Sequence, residues 1–184
     1  MDYKTKRISR NRIRLIAKIF RRVFKECISK DGLYVDVIKL FELIPHKFNN
    51  IITEVVDDEV LNNIPGRCSP DLNGNYHIQI KESVYNGAYD GIGGYRTHIV
   101  HELSHAFLCM FGYTPVYDRS FKNNELIPCE SMEWQAKALA GEILMEYDLT
   151  KGMDIEGLIE KCGVSIDGAY NRITRDKKGG GKNN

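Results

Sequence analysis

Thr97-His98-Ile99-Val100-His101-Glu102-Leu103-Ser104-His105-Ala106-Phe107-Leu108-Cys109-Met110-Phe111 is the stretch on which the reading of this chain turns. Ile99, Leu103, Ala106, Phe107 and Met110 recur at helical spacing and predict one apolar face, with Thr97 as N-cap and Gly112 as the stop. His101 and His105 fall on a different face, and Glu102 lies between the two faces. Imidazoles four residues apart on a helix can hold one metal ion, and zinc suits them. The carboxylate beside the first histidine then reaches the water on that metal. Zinc lowers the pKa of such a water to about 7, so Glu102 can take its proton and hand it on to a leaving amine. Capping or pairing on a surface helix is the bland alternative. A solvated face would use Lys, Glu and Gln, whereas this one adjoins a wholly apolar face.

Two histidines leave the site incomplete, because a catalytic zinc takes three protein ligands and an open position for water. His98 lies two turns before His105, and a rise of about 10 Å separates their backbones. That distance assigns His98 to an outer position, a substrate contact or the plain helix surface. A carboxylate from the next helix, predicted over residues 130–147, is the better third ligand. Glu133 is followed by Ala136 and Ala140, which permit close packing on the histidine helix. Glu130, one turn earlier, is its rival, and acids at a helix start also serve simply as dipole partners. Stabilisation of an oxyanion, or contact with substrate, falls to His98, Tyr95, Tyr117 or Arg172.

Outward from this centre, Ile13, Ile16, Phe20, Val23 or Phe24, and Cys27 predict an amphipathic helix over residues 9–29, ended by Asp31-Gly32. Residues 35–43 read as a second helix stopped near Pro45, and residues 51–56 as a β-branched strand. Pro65-Gly66 and Asn73-Gly74 are turn signals. In Tyr76-His77-Ile78-Gln79-Ile80-Lys81 the apolar residues alternate with polar ones, as a half-buried strand requires. We expect this strand beside the cleft, where an extended peptide could add to its edge. Gly87 to Gly94 reads as a glycine-rich loop. It lacks the Lys-Ser/Thr of a phosphate-binding loop. Residues 113–128 read as irregular. In the 130–147 helix, Met132, Ala136, Leu139, Ala140 and Ile143 face inward, and two short helices follow around Gly163-Val164-Ser165.

The 184 residues suit one domain, with 42% hydrophobic and 28% charged residues, as in ordinary globular proteins. The net charge of +1 gives the molecule as a whole no strong attraction to nucleic acid or membrane. Charge is nevertheless uneven, with eleven Lys or Arg between Lys4 and Lys30 against Glu26 alone. Such asymmetry suits either a basic surface helix or a nucleic-acid arm. No apolar run reaches membrane-spanning length, and Lys18, Arg21 and Arg22 interrupt any signal-peptide core. Five scattered cysteines, none spaced as CxxC, suit free thiols in a reducing cytoplasm.

The stretch Tyr95 to His105 resembles the HExxH helix of the ImmA/IrrE family of metallopeptidases. Glu133-Trp134-Gln135-Ala136-Lys137-Ala138-Leu139-Ala140-Gly141-Glu142-Ile143-Leu144-Met145 is similar to that family's Glu-x-x-Ala, apolar-Ala and Leu-Met pattern. Residues 78–94 and the segment Cys162-Gly163-Val164-Ser165 are similar as well, so the resemblance spans roughly residues 35–175. It implies an α+β, zincin-like fold with a small antiparallel or mixed sheet packed on the HExxH helix and a helical C-terminal part. It further implies Zn2+ as cofactor, His101, His105 and Glu133 as its ligands, and Glu102 as catalytic base. Known members are bacterial or phage-associated and cleave transcriptional repressors, releasing mobile elements or stress genes. The implied partner is therefore a protein substrate such as a helix-turn-helix repressor. The sequence departs from the family pattern at Ser104, Leu139 and Glu146, none of them a proposed ligand.

On this reading residues 1–30 form a basic helix belonging to the same domain, 31–176 the metallopeptidase domain and 177–184 a disordered tail. Two other readings belong beside it. Residues 155–175 have the spacing of a helix-turn-helix, with Gly163 at the turn, so that a DNA-binding regulator could use them with the basic N-terminal helix. Alternatively, the chain is a binding protein whose zinc is structural, which would call for a fourth protein ligand.

Overall fold

The computed structural model describes residues 2–116 and 126–180, with side chains as far as residue 175. The fold is α+β, and small sheets flank a mostly helical body. The first long helix, α1 (Arg10–Val23), starts where the Ser9 hydroxyl accepts the Arg12 amide, and buries Ile13, Ile16, Ala17 and Phe20. It is shorter than the predicted 9–29. Phe24 leaves helical geometry at φ −110°, and a 3-10 turn over Lys25–Cys27 follows. The break lets Phe24 and Cys27 both enter the core, where the Phe20, Phe24, Phe48 and Phe107 rings cluster.

Helix α2 (Val37–Lys47) is capped by Asp36 and continues past Pro45, which was expected to stop it. The proline forfeits one backbone bond, and the helix ends only two residues later, where Phe48 donates to the Ile44 carbonyl. The three-stranded sheet has the order β2 (Ile51–Val56), β4 (Tyr76–Lys81), β3 (Gly66–Pro70). It is mixed: β2 runs parallel to β4, and β3 runs antiparallel to it. Ile78 and Ile80 point into the core, as the alternation predicts. The expectation that residues 76–81 supply a free edge is corrected, since they form the central strand. The edge is β3, whose sequence Gly-Arg-Cys-Ser-Pro carries no apolar alternation.

The predicted glycine loop over residues 87–94 is also corrected. Helix α3 (Glu82–Tyr89) contains Gly87, and only residues 90–92 connect it to α4 (Gly93–Met110). A Cβ on Gly87 would lie 2.2 Å from the Tyr95 ring, so this glycine serves close helix approach rather than loop flexibility. Thr97 is consequently one turn inside α4. Its hydroxyl donates to the Gly93 carbonyl at 2.9 Å instead of capping the helix. α4 is the centre of the fold and is enclosed on nearly every side. Ile99, Val100, Leu103, Ser104, Ala106 and Leu108 are all fully buried, while Met110 turns out to face solvent. Gly112 ends it with φ +81°.

β1 (Lys4–Thr5) pairs antiparallel with β5 (Pro115–Val116), inside the stretch expected to be irregular. The same N-terminal segment runs along the start of α5 (Met132–Leu144). The Met132 amide donates to the Tyr3 carbonyl, and the Ile8 amide to the Cys129 carbonyl. Small Ala136 and Ala140, both fully buried, let α5 lie close against α4. α6 (Tyr147–Thr150) leads to α7 (Ile155–Cys162) and α8 (Ile166–Gly180), joined by Gly163 in left-handed conformation. α8 runs four residues into the stretch 177–184 expected to be a disordered tail. Lys177 and Lys178 are good helix formers, and the glycines come only after them. Residues 181–184 lie outside the described residues.

Arg96, 1% exposed, ties these parts together. Its guanidinium donates to the carbonyls of Val35, Cys162 and Gly163 and lies 4.1 Å from the centre of the Tyr34 ring. The turn between α7 and α8 packs so tightly on Gly93 that a Cβ there would meet the Val164 backbone at 2.3 Å. Among the described residues, no helix is long and apolar enough to cross a membrane.

Candidate metal centre

α4 carries His101 and His105 on the side that meets α5, and α5 places Glu133 in its first turn. The local sequence dictates that placement. Ser131 caps α5 by accepting the Trp134 amide at 2.9 Å, which starts the helix one residue before Glu133. The Asp2 carboxylate adds a second hold, accepting the Ser131 hydroxyl at 2.6 Å and the Glu133 amide at 3.1 Å. The backbone of Glu133 is thus fixed by the N-terminal segment.

The three side chains converge. The Nε2 atoms of His101 and His105 lie 3.1 Å apart, and each lies 3.3 Å from one of the two Glu133 oxygens. The two histidines contact different Glu133 oxygens, and one ligand atom from each of the three residues lies within 4.8 Å of the others, so the group could hold a single metal ion. His105 is buried and His101 nearly so, while the Glu133 side chain is 39% exposed, so the group opens to solvent on one side. Hydrogen bonds from the two histidines hold the Glu133 carboxyl well below the usual carboxylate range. Glu130 points elsewhere and pairs with Lys4 at 3.7 Å.

Glu102 sits beside this group, 4.0 Å from His101 Nε2 and only 8% exposed. Burial raises its pKa, while His101 and His105 pull it back, and the backbone amide of Cys68 on β3 hydrogen-bonds its carboxylate. Gly66 makes that approach possible, since a Cβ there would meet Glu102 Cγ at 2.8 Å. No family model, curated protein or solved structure matches the chain. The centre is accordingly read from its own geometry.

A cleft of about 1180 Å³ passes over these residues. β3 forms one wall, His98, His101, Glu102 and His105 lie along α4, and α5 with α8 forms the opposite side. The other residues singled out in the sequence separate clearly. His98 lines the cleft from an exposed position and is held below its ordinary basicity by partial desolvation and by His101. Tyr95 rests its ring on Gly87 and takes no part in the lining. Arg172 lines the cleft, but its guanidinium meets Glu142 at 3.1 Å and Thr150 at 3.3 Å. Tyr117 lies outside the described residues.

Sequence reasoning missed β3 and, with it, Gly66 and the Cys68 amide. The Pro65-Gly66 pair reads only as a turn, and nothing in the residues themselves reveals a strand pressed against Glu102. Asp2 gave no signal either, because its contact with Glu133 joins the two ends of a long separation in the chain.

Proposed function

We propose that this chain is a zinc-dependent endopeptidase of the ImmA/IrrE kind, acting on a regulatory protein such as a helix-turn-helix repressor. The observation that carries the reading is the convergence of His101, His105 and Glu133, close enough to share one metal ion, with the buried carboxylate of Glu102 alongside. The described residues supply three donors there, which suits a catalytic better than a structural ion. A zinc ion held at this point supplies an activated water and polarises a substrate carbonyl.

The chain's own groups do the remaining work. Glu102 takes and returns a proton, and burial moves its pKa toward the range such a base needs. The Cys68 amide and the absence of a side chain at Gly66 keep its carboxylate aimed. Among the described residues, β3 pairs with a strand on one edge only, so an extended peptide can add to its other edge by backbone hydrogen bonds. His98 is assigned to the substrate carbonyl. Of the groups considered for that task, it is the described one that lines the cleft without an ion-pair partner.

The test uses purified protein, zinc analysis and a mixed peptide library read by mass spectrometry. Wild type is expected to carry one zinc and to cleave library members. Glu102→Gln should keep the zinc and lose cleavage by about 10²–10⁴-fold. Undiminished cleavage by that variant would overturn the role given to Glu102.

A further inference from the structure

Beyond the metal, α5 and α8 line the cleft with cations. Glu142, an acid of this cleft that is 2% exposed, is already taken, and Asp167 lines the cleft as well. The Glu142 Oε1 lies 3.8 Å from Arg10, 3.3 Å from Arg14 and 3.1 Å from Arg172. Lys137 and Arg175 line the same cleft, are exposed, and have no acidic partner within 4 Å among the described residues. Asp167 lies near the other end of α8, two turns from Arg175. Arg10 is held below its ordinary basicity by desolvation, and Arg175, Arg14 and Arg172 all push it the same way. Gly141, on the α5 stripe after Glu133 and Lys137, leaves open space where a Cβ would stand.

We propose that this end of the cleft is a subsite for acidic side chains, so that the preferred substrate is a peptide carrying Asp or Glu on the α5–α8 side of the scissile bond. The inference rests on the peptidase reading of the cleft. Helical rise sets the register. Lys137 is about 6 Å beyond Glu133, and Glu142, with its arginines, about 13 Å beyond it. An extended peptide rises about 3.3 Å per residue, so the acids fall at about two to four positions from the bond that is cut. A carboxylate arriving there meets Lys137 and Arg175, which have no acidic partner within 4 Å among the described residues, beside the arginines gathered on Glu142. A peptide is favoured over nucleic acid because the cations line the same cleft as His101, Glu102 and His105, the groups to which the peptidase reading assigns the cutting of a peptide bond.

Binding is measured on zinc-loaded Glu102→Gln protein, with fluorescein-labelled decapeptides carrying four glutamates or four glutamines. The glutamate peptide is expected to bind about tenfold more tightly at low salt. That gap should close near 1 M salt, where the Debye length is about 3 Å. The exposed double variant Lys137→Glu, Arg175→Glu should abolish the gap, with its melting temperature read in parallel to confirm folding. Equal affinity for the two peptides, no binding of either, or a gap that survives in the folded double variant would overturn the subsite. So would a single-stranded oligonucleotide that displaces the peptide and binds more tightly than it does. The two readings fail separately. Loss of the acid preference in a protein that still cleaves peptides removes the subsite alone, and acid-selective binding by a protein that never cleaves removes the peptidase alone.

Discussion

Glu133 and Gly66 show how single residues set this centre. In the metal-free protein the Glu133 carboxyl is stabilised as a carboxylate by His101 and His105, so its folded pKa lies below its unfolded value. A depressed carboxyl contributes stability that is fully present above the unfolded pKa of about 4.3 and is lost as the pH falls through the folded value. With zinc chelated, wild type should therefore melt higher than Glu133→Gln at pH 6, and the difference should shrink toward pH 3. A difference that grew on acidification would contradict the pairing. Gly66 acts through space alone. Gly66→Ala puts a methyl group against Glu102 and Ile80, so it should reduce peptide cleavage more than about tenfold while zinc content stays at one per chain. Unchanged cleavage in the alanine variant would show that Glu102 has room to move.

At the scale of elements, Arg96 is the joint on which the helices around α4 depend. Its buried guanidinium has no carboxylate partner among the described residues and relies on three carbonyls, the Tyr34 hydroxyl and the Tyr34 ring. Arg96→Met removes the donors and leaves those carbonyls buried, and it should cost about 3 kcal/mol, read from urea unfolding. Arg96→Lys should recover little, because an ammonium cannot reach the same fork of acceptors. The chain announces its periodic elements well. The helix around His101, the strand from Tyr76 to Lys81 and the turn at Gly163 are all legible from spacing and from the glycines at 112 and 163, although Thr97 is not the cap it looked like. What was not legible depends on partners distant in sequence. Gly87 and Gly93 look like loop residues until the Tyr95 ring and the Val164 backbone are packed against them. β3 carries too little apolar pattern to be seen, and its place follows from its pairing with β4 and its approach to Glu102, both distant in sequence. Pro45 looked like a helix stop because propensity ignores how near the end of a helix it stands.

Across the whole molecule, the charge asymmetry of the sequence is taken up in part by the fold. The basic helix α1 lies along α5, where Arg14 meets Glu142, Arg21 meets Glu146 at 2.9 Å, and Lys18 meets Asp148. Acids from the C-terminal half thus take up cations from the N-terminal helix, and the segment 155–175 packs its turn on α4. The third donor of the centre was legible as a choice between Glu130 and Glu133, and the convergence of α4 and α5 brings Glu133 to the histidines. The most direct test is anomalous diffraction at the zinc edge from crystals grown with one equivalent of zinc. The account predicts one strong peak about 2.0–2.2 Å from His101 Nε2, His105 Nε2 and a Glu133 oxygen, with the fourth position held by solvent. A peak ligated by other side chains, or a fourth protein ligand closing the site, would contradict it.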